Sequence, residues 1–243
     1  MTHTSQTNKY IQFLRNHFDK ALTSQTDRIE QAANLIKESV LQGGRFFVFG
    51  SGHSHMIAEE IYIRAGGFAL VNAILEPALM LHEEPNKSTL LERLSGYAEV
   101  LLKIKEITPR DTLMIISNSG RNPVIVEMAV QAKEMGVSMI AMTSIAHSSQ
   151  VTSRHESGKR LFEVADVVLD NGAEFGDAAF YLDGLETPTG PTSDFTGIAL
   201  AQTLIVATLE ALIREGFNPP VYRSSNVDGA DAYNDILFKK YAK

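Results

Sequence analysis

The chain of 243 residues has no cysteine. Thiol nucleophiles, thiolate metal sites and disulfides are thereby excluded, and any metal would need His, Asp or Glu ligands. Positive charge is scarce as well, since 22 Lys and Arg stand against 29 Asp and Glu for a net charge of -7. A nucleic-acid surface needs a basic stripe, and no basic run is longer than the pair Lys239-Lys240, so no nucleic-acid partner is expected. No signal-peptide pattern opens the chain and no charge-free run of membrane-spanning length is read in it. The expectation is a cytoplasmic protein without a membrane partner. What is present is ample apolar material, 44% of the residues, enough for one domain with a full core.

Apolar residues recur at helical spacing in Tyr10, Ile11, Leu14, Phe18 and Leu22. They recur again in Ile29, Ala33, Ile36 and Val40 after the start signal Thr26-Asp27. These predict two amphipathic helices that form an N-terminal extension of about residues 1–43. Five apolar strands follow: Phe46 to Phe49, Leu70 to Leu75, Thr112 to Ile116, Ser138 to Met142 and Val167 to Leu169. Helices are predicted between most of them, notably Leu90 to Glu106 and Pro123 to Met135. Strands apolar on both faces, alternating with helices, imply an α/β fold: a five-stranded parallel sheet flanked by helices on both faces, a flavodoxin-like three-layer sandwich. The segment Gly197 to Ile213 is apolar nearly all round, which predicts a fully buried helix at a subunit interface and hence a homodimer or homotetramer. About residues 217–243 read as a C-terminal tail able to cross to a neighbouring subunit.

Ligands of such sheets sit outside the carboxyl ends of the strands, so the segments that follow the strands are neighbours. Ser51, Gly52, His53 and Ser54 follow the first strand. Ser117, Asn118, Ser119, Gly120, Arg121 and Asn122 follow the third, and Thr143-Ser144 the fourth. Asn122 is a suitable N-cap and Pro123 fits the first helical position, which leaves amides aimed at the loop. Two turns rich in hydroxyls and amides at helix starts point to a bound phosphate monoester. The competing dinucleotide reading of Gly50-Ser51-Gly52, with Glu76 on a ribose, lacks the third glycine, because His55 stands at its place.

The turn GSGHS, the segment ISNSGRNPVIVEMAVQAKEMGVSMIAMTS and the later PTSDFTGIALAQTLIVA resemble, in that order, the sugar isomerase (SIS) domain family. The resemblance spans roughly residues 26 to 216. It implies that Ser54, Ser117, Ser119 and Asn122 hold the phosphate of a sugar phosphate, with Ser51 and His53 alongside the sugar. The loop EPALMLHEE is similar to one in arabinose-5-phosphate isomerases, which brings His82 and Glu84 under consideration. Phosphoheptose isomerases place a metal-binding His and Glu one turn apart on the first helix and a Gln and His on the last. Here the first-helix positions are Glu60 and Arg64, and the last helix has no histidine, so neither a metal nor another cofactor is expected.

Moving a proton between adjacent carbons of a sugar needs a carboxylate and a group that polarises the carbonyl. Glu60, His82 and Glu84 are the candidate catalytic residues. The candidate sugar-phosphate ligands are Ser51, His53, Ser54, Ser117, Asn118, Ser119, Gly120, Asn122, Thr143 and Ser144. Three readings stay open at this point: an aldose–ketose isomerase of a sugar phosphate, a lyase resembling the etherases of such sugars, and a non-catalytic sensor.

Overall fold

The computed structural model describes residues 5–242. Two helices open it, α1 (Gln6–Ser24) and α2 (Thr26–Leu41), and α1 begins where the Ser5 hydroxyl accepts a bond from the Asn8 amide. Strand β1 (Phe46–Gly50), helix α3 (His55–Ile61) and strand β2 (Val71–Ile74) follow. Then come α4 (Pro85–Leu91), α5 (Tyr97–Ile104), β3 (Thr112–Ile116), α6 (Pro123–Glu134), β4 (Ser138–Thr143), the single turn α7 (Ile145–Ser148) and β5 (Val167–Asp170). The chain closes with the short strands β6 (Ala178–Phe180) and β7 (Thr189–Pro191), the long helix α8 (Ser193–Arg214) and α9 (Ala230–Tyr241).

Strands β1 to β5 form one parallel sheet in the order β2-β1-β3-β4-β5. Alternation along each strand sends Phe46, Val48, Met114, Ile116, Ile140 and Met142 to a face covered by α2, α3 and α8. Phe47, Phe49, Leu113, Ile115, Met139 and Ala141 go to the opposite face, under α5 and α6. Both faces of the sheet are thus apolar and covered, as expected for parallel strands. The strand order reverses between β1 and β3, and a crevice opens at such a switch point beyond the carboxyl ends of the two strands. The sheet therefore brings the Ser51 loop and the Ser117 loop side by side.

Four features differ from the sequence reading. The single helix expected over Leu90 to Glu106 is two helices, broken between Leu91 and Tyr97, with Gly96 in the left-handed region at φ 85°. The buried Glu127 carboxylate of α6 accepts from the Gly96 amide at 2.8 Å and the Ala98 amide at 3.3 Å, which replaces the bonds the break removes. Helix α8 is buried along one face only, against α1, α2 and α3. Its other face leaves Val206 64% and Ile213 60% exposed, and its length and composition do suffice to cross a membrane. The residues after α7 contain a small antiparallel hairpin, β6 with β7, in which Phe180 packs on the rings of Tyr10 and Phe13 of α1. The expected tail ends in a helix instead: α9 folds back on its own chain, where Leu237 packs with Tyr222 and Ala69 beside a bridge between Phe68 and Val221.

Candidate functional site

A cavity of about 390 Å³ lies at the carboxyl ends of β1 and β3. One wall is the Ser51 loop. Gly50 ends β1 where a side chain would run into the Ser54 carbonyl, with a Cβ only 2.6 Å from its oxygen, so the chain turns tightly from strand into α3. That turn presents Ser51, His53 and Ser54 to the cavity, and the Ser54 hydroxyl makes no capping bond to α3.

The second wall is the loop after β3, which contributes Ser117, Asn118, Ser119 and Asn122. The Gly120 amide donates to Ser117 Oγ at 3.1 Å, which leaves the Ser117 hydroxyl hydrogen free to donate elsewhere. Asn118 is oriented by Asn171, whose Nδ2 donates to Asn118 Oδ1 at 3.2 Å. Asn122 does not cap α6 with its side chain. Its Nδ2 donates instead to Glu92 Oε1 at 2.7 Å, while Ser51 Oγ donates to Glu92 Oε2 at 3.0 Å. The Val124 amide is also engaged, at 3.1 Å from the Glu92 carbonyl, so the start of α6 is less open than its sequence promised. Glu92 thus bridges the two loops from the break between α4 and α5.

The far wall comes from segments distant in sequence, with His147, Asp177, Pro191, Ser193 and Asp194. Asp177, held at φ 71°, caps α8: its carboxylate accepts from the amides of Thr192 at 2.9 Å and Ser193 at 2.8 Å and from the Ser193 hydroxyl at 2.7 Å. Asp194, in the first turn of α8, has its pKa pushed up to about 6 by burial, with Asp177 adding to the shift and His53 and His55 opposing it. Burial pushes the pKa of His147 down, and its Nδ1 accepts from the Gly176 amide at 3.1 Å. That bond assigns the proton of the neutral ring to Nε2. The ring also stacks on Phe175.

Of the residues named from the sequence, Ser51, His53, Ser54, Ser117, Asn118, Ser119 and Asn122 line this one cavity. Gly120, Thr143 and Ser144 support it from behind. A Cβ on Gly120 would lie 3.1 Å from that of Leu161, Thr143 donates to the Asn118 carbonyl at 3.1 Å, and Ser144 donates to the Ala173 carbonyl at 2.5 Å. The three candidate catalytic residues are not brought to the cavity. Glu60 pairs with Arg64 one turn on and accepts a bond from Gln202 Nε2 at 3.3 Å, since its position on α3 faces α8. His82 and Glu84 lie exposed in the loop before α4 and are not among the residues that line the cavity. Among the described residues no three His, Asp or Glu side chains are grouped to hold a metal ion. Glu92 and Asp177 line the cavity without having been named from the sequence, whereas Ser193 and Asp194 read there as capping groups close to the site and His147 as a surface residue of the link after the fourth strand. The capping pattern at the start of an apolar helix is the signal for Ser193 and Asp194.

The sequence profile of the SIS domain matches residues 9–144. A UPF0309 protein of Halalkalibacterium halodurans is 57% identical over 240 residues, which span 99% of this chain and 99% of that one. Among solved structures, a phosphoheptose isomerase from Francisella tularensis aligns with a TM-score of 0.55 at 18% identity, covering 86% of this chain and 100% of its own. A phosphoheptose isomerase from Neisseria gonorrhoeae aligns with a TM-score of 0.51 at 17% identity, over 83% of this chain and 96% of that one. At these identities the likeness to the two enzymes is one of fold.

Proposed function

From the premise that this chain belongs to the SIS domain family, we propose that it binds a sugar phosphate in the switch-point cavity and interconverts its aldose and ketose forms. The observation that carries the reading is the convergence of Ser54, Ser117 and Ser119, from two separate loops, on one cavity that also holds carboxylates. Hydroxyl donors around a phosphate dianion give short, charge-assisted bonds. Their fixed placement at strand ends avoids the ordering cost of building such a site on binding.

Carboxylates supply the chemistry in this reading, and they are not those the sequence offered. The Glu92 carboxyl group is oriented by the bonds it accepts from Ser51 and Asn122, in position to take a proton from the carbon beside the carbonyl and return it to the neighbouring carbon. Asp194, with a pKa of about 6, holds a proton in a useful fraction of molecules near neutral pH and would donate it towards the carbonyl oxygen. His53, also on the cavity, is the second group able to polarise that oxygen.

Titration calorimetry with hexose and pentose monophosphates tests binding. Ser117→Ala with Ser119→Ala should weaken affinity at least 10-fold, because a hydrogen bond to a charged group contributes about 1.5–3 kcal/mol. NMR in deuterated water tests the reaction, where a bound substrate should gain deuterium at C2 and Glu92→Gln should stop the exchange. Undiminished affinity in the double serine variant would remove the cavity from phosphate binding, and exchange that survives Glu92→Gln would remove Glu92 from the reaction.

A further inference from the structure

Three arginines converge beside the cavity at Asn122. Arg121 follows the Ser117 loop, Arg93 follows Glu92, and Arg154 lies in the segment after α7. Hydrogen bonds tie the segments that carry them together. The Arg154 amide donates to the Arg121 carbonyl at 2.9 Å, and Arg154 Nη1 donates to Asn122 Oδ1 at 2.8 Å. The Val124 amide, at the start of the helix that Asn122 precedes, holds the Glu92 carbonyl and with it the neighbouring Arg93.

These guanidiniums outnumber the carboxylate beside them. Burial lowers the pKa of Arg154, and the charges of Arg121 and Arg93 lower it further, so the three repel one another. Glu92 is the one carboxylate acting on Arg154, against the two guanidiniums of Arg121 and Arg93. Among the described residues Arg93, Arg121 and Arg154 hold no carboxylate within 4.0 Å, a lack they share with Arg15, Arg28, Arg110 and Arg223, but only these three act on one another beside the cavity. Arg121 also buries Nε without a hydrogen-bond partner. An excess of positive charge at one place favours a further anion there. The guanidinium fork matches the two oxygens of a carboxylate or phosphate.

We propose that this arginine rim is a second anion subsite, and that the natural substrate carries an acidic group, carboxylate or phosphate, in addition to the phosphate held by the serine loops. The inference rests on the reading of the serine loops as the first phosphate site. Asn122 is the link between the two subsites, because its side chain faces the cavity and bonds Arg154. A substrate with both anions would span from the Ser117 loop across Asn122 to the guanidiniums.

Calorimetric titration separates the two subsites. Fructose 6-phosphate serves as the probe with one anion, fructose 1,6-bisphosphate as the probe with a second phosphate, and 6-phosphogluconate as the probe with a carboxylate. At least one doubly anionic probe should bind 10-fold or more tightly than fructose 6-phosphate, and which of the two does so identifies the second group. The advantage should disappear in Arg121→Gln/Arg154→Gln, while affinity for fructose 6-phosphate stays within about threefold. Arg154→Gln alone, a change at an exposed side chain, should remove part of the advantage without bearing on folding. Equal affinity for all three probes in the parent protein would overturn the second subsite and leave the phosphate site standing. So would an advantage that persists in both arginine variants. Failure of every probe and of inorganic phosphate to bind would overturn the phosphate site, and the second subsite with it.

Discussion

Asp194 is placed where its charge is costly, and that cost can be measured. Burial holds its folded-state pKa near 6 against 3.8 for an ordinary aspartate, so the folded state binds the proton more tightly than the unfolded chain does. Stability therefore falls as pH rises from about 4 to above 6, and stays at the lower level beyond. Asp194→Asn removes this penalty. Its unfolding midpoint at pH 7 should lie above that of the parent, by up to about 1–2 kcal/mol at about 1.4 kcal/mol per pKa unit once solvent screening at a partly exposed group is discounted. The gain should vanish below about pH 4. Chemical denaturation of both proteins across this range decides the matter, and a variant no more stable than the parent at pH 7 would show that Asp194 is not strained by burial. Residues of this kind are hard to read from sequence. The cavity serines stand in two recognisable turns, but Asp194 and Glu92 acquire their roles from burial and from partners far along the chain.

At the scale of elements, the break between α4 and α5 matters most for the site, because an unbroken helix would not bring Glu92 across both serine loops. The break is held from α6 by Glu127, whose carboxylate accepts from the Gly96 and Ala98 amides. Glu127→Ala should leave those amides without acceptors and lower stability by about 1–3 kcal/mol. It should also weaken sugar-phosphate affinity although Glu127 does not line the cavity, since Glu92 would no longer be held between Ser51 and Asn122. Paired denaturation and calorimetry test this, and lost stability with unchanged affinity would separate the break from the site. The apolar periodicity from Leu90 to Glu106 hid the break, as a helix interrupted by one short loop keeps nearly the same pattern as a continuous one. The parallel strands were legible because each is a short apolar run bounded by turn residues. The β6–β7 hairpin was not, since its three-residue strands are too short to show alternation and owe their place to Tyr10 and Phe13 of α1.

For the molecule as a whole, the sheet satisfies its own faces while helix α8 does not. Ile205, Leu204, Leu200 and Leu212 are buried on the core side, whereas Val206 and Ile213 recur seven residues apart on the solvent side, and Phe195 lies exposed in the first turn. The all-round apolar pattern that the sequence shows is thus half explained by the chain's own core. We propose that a second copy of this chain covers the other half, because α8 of two copies can pack face to face about a two-fold axis that closes the assembly. At about 25 cal/mol for each Å² of apolar surface removed from water, burial of Val206 and Ile213 favours association, with the exposed Glu210–Arg214 ion pair on the same side of the helix kept at the rim of the contact, and further charges within the stripe would oppose it. Sedimentation velocity at micromolar concentration should show a dimer or larger closed assembly for the parent protein and a monomer for Val206→Lys/Ile213→Lys. Both substitutions lie at exposed positions, so circular dichroism should be unchanged by them. A parent protein that sediments as a monomer would leave the outer face of α8 without this explanation, and an assembly that survives both lysines would move the interface elsewhere.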